Sequence, residues 1–81
     1  MTYYYKCLFD KIGHEYVYWK TDLKVSECEE YIAYEWNGSE WIFEIEDAVA
    51  IDTLIKKGKV KIGMWKLVLI TQEECEWGII K

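Results

Sequence analysis

Apolar and polar positions alternate along most of the chain, and the period lengthens clearly in one place. Tyr3, Tyr5, Cys7 and Phe9 alternate with Tyr4, Lys6, Leu8 and Asp10. A period of two predicts a strand over Tyr3 to Phe9. Both of its sides carry apolar groups, so the pattern leaves the core side open. The segment DKIGHE, Asp10 to Glu15, supplies turn residues, with Gly13 available for positive φ. Tyr16 to Thr21 follows as a second strand, rich in Tyr, Val and Trp. The two strands read as a hairpin with a loop of several residues.

Two readings compete for residues 26–36. Ser26 and Glu29 match the S-x-x-E capping box, which would start a helix ending at Asn37-Gly38. Alternatively, Glu30 to Trp36 is a strand that turns at Asn37-Gly38 into a strand from Ser39 to Glu46. Pairing arithmetic favours the hairpin. A two-residue turn sets Tyr34 opposite Trp41 and Ile32 opposite Phe43 on one side, a coherent apolar set. Trp41, Phe43 and Ile45 are then expected to point inward, with Glu40, Ile42, Glu44 and Glu46 outward.

The period lengthens at Asp47 to Lys57. Ala48, Ile51, Leu54 and Ile55 form a helical stripe with Val49 beside it. Asp47 is the expected N-cap, Lys56 and Lys57 suit the last turn, and Gly58 closes the helix. Val60 and Ile62 then alternate with Lys59 and Lys61. Gly63 to Lys66 reads as a turn or bulge and Leu67 to Ile70 as a central strand. Thr71 to Glu74 turns, and Cys75 to Ile80 reads as a last strand with Gly78 at a bulge or edge. The fold class expected is α+β: a single domain over residues 1–81, with an antiparallel sheet of five to seven short strands packed against one helix at about residues 47–57.

Composition sharpens this picture. A chain of 81 residues is one domain in length, with a thin stability margin. Its five Trp, seven Tyr and two Phe supply large burial, but a domain this small cannot enclose them all. The three cysteines, Cys7, Cys28 and Cys75, are odd in number and widely spaced, which fits a reducing compartment. MTYYYKCLFD has no signal-peptide pattern, and no stretch approaches the ~18 apolar residues of a membrane span. A cytoplasmic location, with no membrane partner, is the expectation.

Charge is unevenly distributed. The net charge is −5 and every basic residue is lysine. Without the arginine fork, an acidic domain is a poor binder of nucleic-acid backbone. Asp22 to Asp52 carries ten acidic residues and one lysine, whereas Thr53 to Gln72 carries five lysines and no acid. In the hairpin reading Glu35 faces Glu40, and Glu44 and Glu46 extend the row, with Tyr31 and Ile42 between. Like charges across strands are destabilising. Such a row is either a solvated face or a docking face for a basic partner, and no calcium-loop spacing favours a cation site.

Catalytic and metal signals are weak. His14 beside Glu15 is the one candidate acid–base pair. Ser26 and Ser39 lack a nucleophile-elbow context. Acidic neighbours disfavour a Cys28 thiolate. Cys7, His14, Cys28 and Cys75 lack the tight cysteine pairing of a zinc site. No metal, cofactor or catalytic residue is therefore assigned. The leading expectation is a non-catalytic interaction module or inhibitor. It would present an acidic, aromatic-rich surface to a basic surface of another protein, a nucleic-acid mimic being one form of this class, with Tyr31, Glu35, Glu40, Glu44 and Glu46 as the partner-binding residues. The alternatives are a single-stranded nucleic-acid binder, using Tyr3 to Tyr5, Tyr16 and Tyr18 with Lys56, Lys59 and Lys61, and a homo-oligomer joining lysine and acidic segments.

Overall fold

The computed structural model describes residues 1–9 and 16–80. The turn expected at Gly13 and the His14–Glu15 pair lie outside the described residues. In chain order the elements are β1 (Tyr3–Phe9), β2 (Val17–Val25), β3 (Tyr31–Trp36), β4 (Trp41–Glu46), α1 (Ala48–Lys57), β5 (Lys59–Ile62), β6 (Trp65–Ile70) and α2 (Gln72–Ile80). The strands form one antiparallel sheet in the order β4-β3-β2-β1-β6-β5. The two helices pack on opposite faces of it.

The face under α1 holds the main core. Ile51 and Leu54 of the helix meet Tyr5, Cys7 and Leu67 of the sheet, with Trp19, Leu23, Ile55 and Leu69 at the margin. The expected helix forms as its signals direct. The Asp47 side chain accepts from the Val49 N–H, and Gly58 adopts the left-handed conformation, its N–H donating to the Leu54 carbonyl. Beyond the core, β5 and β6 join through a tight turn at Gly63-Met64 that sets Ile62 opposite Trp65. β6 therefore starts earlier than the apolar run LVLI suggests.

The expectation of one helix is overturned: Gln72–Ile80 is a second helix, not a strand. Its start is a capping box. The Thr71 hydroxyl accepts from the Glu74 N–H at 3.1 Å, and the Glu74 carboxylate accepts from the Thr71 N–H at 3.2 Å. Gln72 and Glu76 add an i,i+4 hydrogen bond. Gly78 marks neither a bulge nor an edge. It is the point at which α2 rests on the Tyr18 ring of β2.

Within residues 26–36 no helix forms: 26–30 turn and Tyr31–Trp36 is strand. Ser26 does not start a helix; its hydroxyl accepts from the N–H groups of Cys28 and Glu30, and Glu29 has φ +61°, which closes a compact turn into β3. β2 runs on to Val25, past the expected end at Thr21, through an irregularity at which Leu23 has φ +60°. Buried Thr21 steadies it, donating to the Ile32 carbonyl and accepting from the Leu23 N–H.

The β3–β4 hairpin forms, with a different register. Its loop spans four residues rather than two, because the Asn37 side chain accepts from the N–H groups of both Ser39 and Glu40 and draws them into the turn. Trp36 therefore pairs with Trp41, Tyr34 with Phe43 and Ile32 with Ile45. A shift of two residues keeps each side chain with the same companions. Which companions point to the core is reversed. Ala33, fully buried, lies beside Thr21 on the α1 face and brings Glu35, Ile42, Glu44 and Glu46 to that side. The aromatic side of the hairpin faces the other way.

Candidate functional site

The hairpin has two chemically distinct sides. On the α1 side are four of the five residues expected to bind a partner. Tyr31 pairs with Glu46, Ala33 with Glu44 and Glu35 with Ile42. Glu35 does not face Glu40, which lies exposed in the loop. Glu35, Glu44 and Glu46 are each half-buried, because this side continues into the core rather than forming an outer surface. Tyr31 donates from its hydroxyl to the Asp52 carboxylate at 2.8 Å and so ties β3 to α1. That bond, made by the protonated phenol, also raises the Tyr31 pKa.

Among the described residues Glu46 is the most perturbed carboxylate. Burial pushes its pKa up to about 7, and the neighbouring charges of Glu44, Glu35, Asp47 and Glu30 add to the shift. The same carboxylates act on two buried groups of β1. The Cys7 thiol is pushed up to about 11 by burial first, then by Glu46 and Glu35. The Tyr5 hydroxyl is raised by burial, then by Glu46, Cys7 and Glu35. Tyr5 is 1% exposed, and its hydroxyl meets no hydrogen-bonding partner among the described residues. An unmet buried hydroxyl costs about 1–3 kcal/mol. Tyr5, Cys7 and Glu46 line an apolar cavity of about 290 Å³ together with Trp19, Leu67 and Trp65.

The other side of the hairpin is aromatic. Trp36 and Trp41 meet edge to face at 5.3 Å, and Tyr34 and Phe43 at 6.2 Å. The Lys20 ammonium sits 4.4 Å from the Trp41 ring centre and 5.8 Å from that of Tyr34. α2 packs over β1 and β2 on this face. Over β4, Phe43 is 55% and Ile45 41% exposed. Between the aromatic strands and the N-terminus runs a groove of about 350 Å³ lined by Thr2, Tyr4, Lys20, Asp22, Tyr34 and Trp41.

The N-terminal tyrosines are dispersed. Tyr5 is buried and stacked on Trp19 at 5.9 Å, Tyr18 lies beneath Gly78, and Tyr16 is exposed with Lys6 4.3 Å from its ring centre. Cys7 and Cys75 are buried free thiols in separate places, Cys7 in the core beneath α1 and Cys75 on α2, whereas Cys28 is exposed. Among the described residues no cluster of His, Cys, Asp and Glu is arranged to hold a metal ion. Among them, too, no helix is long and apolar enough to cross a membrane.

Cross-strand pairing alone puts the hairpin's aromatics in the core, as one coherent apolar set. The signal that points the other way is small: Ala33, the smallest residue of YIAYEW, is fully buried where β3 pairs with Thr21 on the α1 side. The cavity left no periodic trace, since its lining comes from five different strands. Comparisons with protein-family models, curated proteins and solved structures find no match to this chain.

Proposed function

We propose that this protein is a small interaction module that holds a basic surface of another protein against the aromatic side of β3 and β4. One observation carries the reading: Lys20 already rests on Trp41 and Tyr34, at the border of a patch where Phe43 and Ile45 stay exposed. A partner's lysine or arginine could stack on the same rings. Trp and Tyr are frequent anchors in interfaces because they bring large area with few rotors. The acid of residues 22–52 steers a basic partner from a distance, and exposed Glu40 stands at the hairpin tip. Half-burial of Glu35, Glu44 and Glu46 lends less support to a row of carboxylates that imitates nucleic-acid phosphates. The test is a tryptophan-fluorescence titration with a lysine-rich peptide, a glutamate-rich peptide and a single-stranded oligonucleotide. Saturable, salt-sensitive binding of the lysine-rich peptide alone supports the proposal. Binding of the oligonucleotide alone, or of none of the three, overturns it.

A further inference from the structure

The sheet ends in two outer strands, β4 and β5, and among the described residues no strand pairs with the outer side of either. An outer strand offers a row of backbone N–H and C=O groups to another chain. The two edges differ in charge. Residues 22–52, with ten acidic side chains and one lysine, comprise the end of β2, β3, β4 and the start of α1; residues 53–72, with five lysines and no acid, comprise the rest of α1, β5 and β6. Exposed Glu40 and Asp47 flank β4, whereas exposed Lys56 and Lys57 lead into β5. The side chains of the two edges are also unlike. Lys59, and Lys61 beyond it, stand on the side of the sheet on which β4 leaves Phe43 and Ile45 exposed. On the α1 side β5 carries exposed Ile62 and β4 carries Ile42.

We propose that the partner at these edges is a second copy of this chain, docked head to tail so that β5 of one copy extends the sheet beside β4 of the next. The proposal rests on the reading above, in which the aromatic side of β4 receives lysines, and names the partner. Strand direction suits it. Every strand runs antiparallel to its neighbour, so β4 and β5 run in opposite directions, and a copy displaced along the sheet sets its β4 antiparallel to β5 with the α1 sides continuous. Lys59 and Lys61 then face Phe43 and Ile45 across the seam, their stems on apolar surface and their ammonium groups near a ring, as Lys20 already lies on Trp41. Lys56 and Lys57 approach the acidic end of the next copy. Charge disfavours the symmetric alternatives, since β4 on β4 brings acid to acid and β5 on β5 sets lysine against lysine. A head-to-tail seam does not close on itself. Sheet twist rotates each copy about the direction of its displacement, so copies add in an open row. β5 has four residues, so each seam is weak and assembly requires concentrated protein.

The test is sedimentation velocity and amide NMR of the whole chain over a range of concentration. Between about 10 μM and about 1 mM at low salt, the weight-average mass should rise from the 9.8 kDa of one chain past that of two without levelling, and association should weaken at least tenfold in about 0.5 M NaCl. The amides of β4 and β5 should shift together with concentration while those of β1 stay in place. Glu40→Lys with Glu44→Lys at one edge, and Lys57→Glu with Lys59→Glu at the other, should each leave the chain monomeric, with circular dichroism showing that the fold persists. Mixing the two variants should restore assembly, because the reversed edges then match. A parent chain that stays monomeric, a mass that levels at two copies, or shifts on one outer strand alone would overturn the proposal. So would assembly of either variant alone to the parent's extent, or a mixture that stays monomeric. Peptide binding by β3 and β4 is read on dilute, single chains, so a failure to assemble leaves that reading standing and a failure to bind peptide is seen separately.

Discussion

Gly78 of α2 rests directly on the Tyr18 ring of β2, so closely that a β-carbon at position 78 would fall inside the ring's contact distance. Glycine is an unfavourable helix residue, and alanine there would raise helix propensity by about 1 kcal/mol. Here packing prevails over propensity. Gly78→Ala should destabilise the protein by about 1–3 kcal/mol, because the helix or the ring must move. In a Tyr18→Ala background the same substitution should be neutral or stabilising. Urea denaturation of the four proteins in the cycle checks the sign of the coupling.

The capping box at the start of α2 gives a second expectation. Thr71→Ala removes the acceptor for the Glu74 N–H and leaves the reciprocal bond from the residue 71 N–H to the Glu74 carboxylate to hold the cap alone. The expected loss is about 1 kcal/mol. It should appear as faster amide exchange within residues 72–80 before it appears in β1 or β6, since α2 has one buried residue, Cys75, to hold it down.

Glu46 makes stability depend on pH in an unusual direction. Its folded-state pKa is raised, from about 4.5 to about 7, so the folded chain binds the proton more tightly than the unfolded one. The resulting stabilisation is complete below about pH 4.5, is lost as pH rises toward 7, and is absent above it. Allowing for solvent screening of a half-exposed group, the effect is about 1–2 kcal/mol. Glu46→Gln should remove this part of the decline. Chemical denaturation at pH 5 and pH 8 for both chains measures it; an equal slope in the two would contradict the assignment.

These expectations also show what could be read from the chain alone and what could not. Asp47, the Ile51 and Leu54 stripe and Gly58 act within a dozen residues of one another, and local chemistry defined α1 without tertiary help. The reversal at Asn37-Gly38 was equally local in its position. Its register was not, because Asn37 can close a two-residue or a four-residue loop depending on which N–H groups its side chain receives. The T-x-x-E box at Thr71 is present in the letters, but Thr71 to Glu74 reads equally as a turn and Gly78 as a strand bulge or edge, and the Tyr18 ring alone supplies a reason for glycine inside a helix. Hardest of all was the facing of β3 and β4. Alternation states which residues travel together, never which set is covered, and the answer depended on where α1 and α2 dock. The expected site residues Tyr31, Glu35, Glu44 and Glu46 do share one side, but it is the side that runs into the core.

Exposed aromatics that serve binding should be nearly dispensable for folding. Phe43→Ser removes an exposed side chain and one edge-to-face contact with Tyr34. The expected cost to stability is about 1 kcal/mol or less. Affinity for a lysine-rich peptide should fall at least tenfold in Phe43→Ser and in Trp41→Ala. Thermal unfolding and the fluorescence titration, run on the same samples, separate the two effects.

The most direct measurement is a residue-resolved NMR titration of the intact chain with a lysine-rich peptide at low salt. If the aromatic side of the hairpin is the docking surface, the Trp36 and Trp41 indole signals and the amides of Phe43 and Ile45 shift together and saturate, while those of Trp19 and Leu67 stay in place. Saturable shifts centred on Glu44, Glu46 and α1 instead, or a titration that moves nothing on β3 and β4, would contradict it.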